Sequence, residues 1–119
     1  MYTFGKYEID PEKVLMENKL AFAIYNINPV AKEHVLIITK RHVDNVLKLN
    51  GREAAAVNTL RKKMAKYLIK NDSSIIAFNF RTNVGEIAGQ TIRDYHEHMI
   101  PRREGDGLGP IACPKGNMG

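Results

Sequence analysis

The chain has 119 residues, of which 44% are hydrophobic and 26% charged, enough for one globular core and too short for a second domain to be expected. Its formal net charge of +5 favours anionic partners and leaves nucleotides, nucleic acid or an acidic surface open, with nucleic acid the less favoured because solubility alone explains such a charge. No apolar run approaches membrane-spanning length and the start, Met1 to Lys6, has no apolar core, so no membrane-spanning helix is expected and the cytoplasm is the expected location.

In chain order, Phe4 to Ile9 alternates roughly and reads as a short strand, ended by Asp10-Pro11 because proline removes a donor. Val14 to Glu17 and Leu20 to Tyr25 read as an antiparallel hairpin across Glu17-Asn18-Lys19. His34-Val35-Leu36-Ile37-Ile38-Thr39 is β-branched and apolar enough for a central strand, with His34 at its edge. Lys40 to Asp44 then forms an exposed basic link, and Val46 to Leu49 a single turn.

The spacing predicts a long helix over Gly51 to Asn71, with Val57, Leu60, Met64, Tyr67 and Leu68 inward and Asn50 capping together with Glu53. Its outer residues Arg61, Lys62, Lys63 and Lys66 read as a solvated face. Ser74 to Phe80 is a further strand, and the glycine-bearing link Arg81 to Gln90 leads into Ile92 to Ile100, read as the last strand. From residue 107 to 119 the chain is irregular and rich in glycine and proline. Cys113, the only cysteine, lies there, which excludes an internal disulfide framework and fits a reducing compartment.

If Ile92 to Ile100 is one strand, Asp94, His96 and His98 share a face at about 7 Å intervals, with Tyr95, Glu97 and Met99 behind. A row of titratable groups is costly for a strand used only in packing. His-x-His alone leaves several readings open: satisfied polar residues on a solvated face, a metal pair, or a nucleophile with its acid partner. Gln90 and the Asn83-Val84-Gly85 link tilt the reading towards phosphate, since glycine lets backbone amides approach a ligand. A phosphoryl or nucleotidyl centre needs a nucleophile, donors to the non-bridging oxygens and an acid for the leaving group, and two histidines supply the first and last near neutral pH.

The stretch Gly89-Gln90-Thr91-Ile92-Arg93-Asp94-Tyr95-His96-Glu97-His98-Met99-Ile100-Pro101-Arg102 resembles the signature of the histidine triad (HIT) nucleotide hydrolases and transferases. Asn83 to Gln90, Phe22 to Asn26, Asn28-Pro29-Val30 and His34 to Ile37 agree with the same family, and the Pro-Arg ending resembles its fragile-histidine-triad side. The resemblance runs from about Phe4 to Asp106. It implies an α+β fold with an antiparallel sheet of about five strands and one long helix, a domain over residues 1–106 followed by the tail, and two copies paired through the helix and neighbouring strands.

By the same resemblance His96 is the nucleophile, His98 contacts the leaving group, and His34 supports the triad, with Gln90 and Asp94 completing the catalytic set. Asn26 corresponds to the ribose contact, Asn83 and Thr91 to contacts on the phosphate or leaving side, and Phe4, Ile9 and Ile24 to the base pocket, although ordinary core also explains these three. No metal ligand and no cofactor are implied. The expected activity is hydrolysis or nucleotidyl transfer at the α-phosphate of a purine nucleotide conjugate, a dinucleoside polyphosphate or nucleoside phosphoramidate, through a nucleotidyl-histidine intermediate; a non-catalytic nucleotide-binding protein and a His-x-His metal-binding protein are the alternatives.

Two positions depart from the family's pattern. Asp94 stands where the first triad histidine is expected; it is read as hydrogen-bonding His34 and favouring its charged form, or else as adding negative charge beside the phosphate. Glu97 stands where an apolar residue is usual, and on the back of the strand it needs a basic partner or water.

Overall fold

The computed structural model describes residues 2–110. Its strands are β1 (Tyr2–Phe4), β2 (Tyr7–Ile9), β3 (Met16–Glu17), β4 (Ala21–Tyr25), β5 (Val35–Thr39), β6 (Ala77–Arg81) and β7 (His96–Arg102), and helix α1 covers Gly51–Asn71 between β5 and β6. Strands β3 to β7 form one five-stranded sheet in the order β3-β4-β5-β7-β6, every pairing antiparallel. The α+β architecture expected from the sequence is therefore present, with the β-branched β5 near its centre and wholly buried.

Side-chain alternation gives the sheet two unlike faces. Ala21, Ala23, Val35, Ile37 and Met99 face α1 and pack on Val57, Leu60, Met64 and Leu68. Phe22, Ile24, Leu36 and Ile38 face the other way and pack with Phe4, beneath the separate β1-β2 hairpin. The register pairs Leu36 with His98, Ile38 with His96 and Ile37 with Glu97. Both histidines of β7 thus lie on the hairpin face, and Glu97 lies on the helix face.

Helix α1 has the predicted bounds, because Asn50 accepts from the Glu53 amide while the Glu53 carboxylate accepts from the Asn50 amide, closing both ends of a capping box. Tyr67, predicted to face inward, is instead 47% exposed, since it lies about 100° around the helix from Leu68 at the margin of the apolar stripe.

The structure corrects other boundaries. Phe4 to Ile9 is not one strand: Gly5, at φ 58°, turns the chain between β1 and β2. β3 is confined to Met16–Glu17 and β6 starts at Ala77, which leaves Ile76 66% exposed before it. β7 starts at His96, not Ile92, because the ladder groups ahead of it are otherwise engaged: the Tyr95 amide donates to the Val43 carbonyl, and the Ile92 and Asp94 carbonyls accept from side chains. Of the predicted tail, residues 107–110 are described, with the Gly109 and Pro110 carbonyls accepting from Arg102. Cys113 lies outside the described residues.

Candidate active site

His96 is buried, and its Nδ1 lies 2.8 Å from the Asp94 carbonyl oxygen. A carbonyl only accepts, so Nδ1 carries the ring proton and the lone pair is on Nε2. The ring is set on one side by Phe4, edge-on at 4.8 Å, and on the other by the His98 ring at 5.2 Å.

The neighbouring histidines form a chain whose proton positions follow from its end. The Val30 amide donates to His34 Nδ1 at 3.2 Å, so in the neutral ring the His34 proton sits on Nε2. That nitrogen is 3.0 Å from His98 Nδ1, which must accept, and neutral His98 therefore holds its own proton on Nε2. Burial pushes the His34 pKa down to about 4, which keeps the ring neutral near pH 7 and preserves this direction. The site pairs an imidazole with a lone pair on Nε2 with a second imidazole that carries an N–H on Nε2.

His34 is itself held from outside. The loop of residues 26–34 turns at Glu33, just before His34, and the Glu33 φ of 66° is the left-handed exception among non-glycine residues described. Arg103 grips this corner: it donates to the Lys32 carbonyl, pairs with the Glu33 carboxylate, and reaches Asp72 past the helix end at 2.9 Å. The Ser74 hydroxyl, then Arg103, hold the Asp72 carboxyl well below the usual carboxylate range.

The other predicted residues are distributed unevenly. Asn26 is buried beside His34, its Oδ1 accepting from the Asn28 amide. Phe4 and Ile24 are buried in the hairpin-face core, and Ile9 packs against it half-buried. Gln90 is occupied by backbone groups: Oε1 accepts from the Gly85 amide, and Nε2 donates to the Ile92 carbonyl of its own loop and to the Asp44 carbonyl of the link after β5. Asn83 Oδ1 accepts from Arg81. Thr91 lines a cavity of about 320 Å³ with Gly5, Lys6, Tyr7 and Ile92.

Asp94 does not reach His34, contrary to expectation. Because it precedes β7, it falls out of the strand's alternation. Its Oδ2 accepts from the Gly5 amide at 2.6 Å and from His42 Nδ1 at 2.9 Å. The His34 charge is also opposite to the expected one, because burial dominates and no carboxylate is beside it. Glu97 has the basic partner it needed: Arg61 of α1 forks onto it at 2.6 and 2.8 Å, which pins β7 to the helix from behind.

His42, Thr3 and Arg61 were missed as contributors to this region. Only His42, within the basic link, carried any signal in the sequence, and nothing local pointed to Arg61 as the partner of a residue 36 positions away. Among the described residues, no group of three or more His, Cys, Asp or Glu side chains is arranged to hold a metal ion, and no helix is long and apolar enough to cross a membrane.

The neutral His34 makes stability depend on pH. Between about pH 4 and 6.5 the unfolded chain binds a proton at this position that the folded chain does not. Stability from this group is complete above about pH 6.5 and is lost as pH falls towards 4, by about 3 kcal/mol in all. Urea unfolding at pH 7, 6 and 5 should show this decline in the native protein and a flatter profile in His34→Phe; the same profile in both would assign the decline elsewhere.

Comparison with known proteins places these features in a family. The HIT domain model matches residues 8–105. The bifunctional bis(5'-adenosyl)-triphosphatase/adenylylsulfatase FHIT of Arabidopsis thaliana is 33% identical over 107 residues, covering 88% of this chain and 58% of that protein. Among solved structures, diadenosine triphosphate hydrolase of Plasmodium falciparum is 30% identical with a TM-score of 0.79, covering 88% of this chain and 71% of that one. The NitFhit protein of C. elegans has a TM-score of 0.82 at 28% identity, covering 97% of this chain and 26% of its own. The chain thus spans little more than half of the Arabidopsis protein and about a quarter of NitFhit. With the model match over most of its length and the five-stranded sheet and single helix of these structures, the chain belongs to the HIT domain family.

Proposed function

We propose that this protein is a HIT-type hydrolase or nucleotidyl transferase acting, without metal or cofactor, at the α-phosphate of a purine nucleotide conjugate such as a dinucleoside polyphosphate or nucleoside phosphoramidate. The observation that carries this reading is the bond from His96 Nδ1 to the Asp94 carbonyl, which fixes the lone pair on Nε2. The relatives named for bis(5'-adenosyl)-triphosphatase and diadenosine triphosphate hydrolase activity support the substrate class.

In the first step His96 Nε2 attacks the α-phosphorus as the bond from phosphorus to the leaving oxygen or nitrogen breaks. The leaving atom takes the proton from His98 Nε2, and the negative charge this leaves on the His98–His34 pair is held beside the positive charge gained by the substituted His96 ring until water restores the proton in the second step. In the second step water attacks phosphorus, gives its proton to His98 Nε2 and releases the nucleoside monophosphate from His96, as microscopic reversibility requires. The Asp94 carbonyl serves the first step by stabilising the proton on Nδ1 as positive charge grows on the ring.

The test is incubation with adenosine phosphoramidate and with a dinucleoside polyphosphate in the presence of chelator. Release of nucleoside monophosphate supports the reading. Tight nucleotide binding without turnover would favour a non-catalytic binding protein, and activity lost to chelator would favour a metal-dependent one.

The same reading includes a homodimer formed through α1 and β6. β6 is an open edge of the sheet, and Phe80 on it and Ile69 on α1 are 46% and 47% exposed; exposed apolar edges are normally covered. Sedimentation at micromolar concentration should give twice the 13.5 kDa chain mass, with Phe80→Lys shifting it towards the monomer; a monomeric native protein would refute the pairing.

A further inference from the structure

The β1-β2 hairpin joins neither edge of the five-stranded sheet. A two-stranded hairpin is marginal on its own in water, so side-chain contacts must dock it. At its open end Tyr2 packs edge-on to Phe22 at 5.2 Å and its hydroxyl donates to Glu17 at 2.6 Å. Phe4, the last residue of β1 beside the turn, is buried in the hairpin-face core.

The turn is held differently. Asp94 Oδ2 accepts from the Gly5 amide at 2.6 Å and from His42 Nδ1 at 2.9 Å, and His42 Nε2 lies 2.7 Å from the Thr3 hydroxyl. His42 Nδ1 donates to the carboxylate, and its Nε2 shares a hydrogen bond with the Thr3 hydroxyl, which serves as donor or acceptor alike. One carboxylate oxygen and one imidazole thus bind two points of the hairpin to the residues that lead into β7. The fit is close, for a Cβ on Gly5 would stand 3.0 Å from Ile92 Cγ2.

We infer that Asp94 and His42 form a clasp that docks the hairpin turn and sets one wall of the cavity lined by Gly5, Lys6, Tyr7, Thr91 and Ile92, and that the clasp controls how tightly the nucleotide is held. The consequence for substrates rests on the nucleotide reading above. The division of labour lies within one residue: the Asp94 carbonyl orients His96, while its side chain serves the hairpin. A loosened clasp therefore changes affinity first and chemistry second. Asp94 and His42 are positioning residues in this account.

The decisive variants are His42→Ala and Thr3→Val, with Asp94→Ala as the stronger lesion. For adenosine phosphoramidate, His42→Ala should raise KM about tenfold, the effect of losing one or two hydrogen bonds, with kcat within about threefold. Ribose 5'-phosphoramidate, which lacks the base, should show little change in KM. The effects of His42→Ala and Asp94→Ala should be far from additive, since the two act through one contact. A fall in kcat at constant KM, or equal losses for both substrates, would overturn the proposal.

Amide exchange at Gly5 gives a readout independent of turnover. It should accelerate at least tenfold in Asp94→Ala, and exchange as slow as in the native protein would overturn the clasp whether or not any substrate is processed. Absence of turnover by the native protein would instead refute the nucleotide reading and leave the clasp to be decided by Gly5.

Discussion

His96→Ala is expected to lower kcat/KM for adenosine phosphoramidate by roughly 10⁴-fold or more, while nucleotide binding stays within a few-fold of the native protein. The size follows from the role. His96 Nε2 forms the bond to phosphorus, so without it the two-step route is lost and water must attack directly. Binding survives because the pocket walls come from other elements, and the alanine leaves the β5 and β6 pairings of β7 in place. Steady-state kinetics and equilibrium dialysis with the nucleoside monophosphate separate the two quantities. A variant that keeps a tenth or more of native turnover would remove His96 from the chemistry.

The second large effect is expected at His98, and it should depend on the leaving group. In His98→Leu the proton held on Nε2 is gone, so a poor leaving group such as an alkoxide or amine should depart about 10²- to 10⁴-fold more slowly. A nitrophenolate leaves without needing that proton, and for it the loss should be within about tenfold. The variant also leaves the buried His34 N–H without its 3.0 Å acceptor, a cost to stability of about 1–3 kcal/mol that urea unfolding will register. Equal losses for good and poor leaving groups would mean that His98 organises the site and does not act as an acid.

Much of this was legible in the sequence because it depends on neighbours along the chain. The start of α1 follows from Asn50 and Glu53, which close the capping box within three residues of each other. The run Val35–Thr39 is β-branched and apolar enough for the buried central strand it forms, and the two-residue period of β7 put His96 and His98 on one face whatever they paired with. Glu97 announced that it needed a basic partner or water, because a carboxylate on the back of the strand is costly without either, and the structure supplies Arg61.

What was not legible depends on contacts across the chain. The partner of Glu97 is set by how α1 lies over the sheet, which no local pattern encodes. Asp94 was assigned to the histidine face by extending the strand's alternation backwards, but the alternation holds only while a ladder exists. Side chains take the Ile92 and Asp94 carbonyls, and the ladder begins two residues later. Gln90 fits a phosphate contact by type, yet its amide ties its own loop to the Asp44 carbonyl of the link after β5. The His34 charge was misread for the same reason: proximity to a carboxylate was assumed, and burial without one gives the opposite sign.

The central claim is a covalent bond between His96 and the nucleotide. The most direct measurement is mass spectrometry of protein quenched during turnover of adenosine phosphoramidate, digested under alkaline conditions that preserve a phosphorus–nitrogen bond. The account predicts an adenylyl adduct on the peptide containing His96, absent from His96→Ala. Adenylate on a different residue, or full turnover by His96→Ala with no adduct at all, would contradict it.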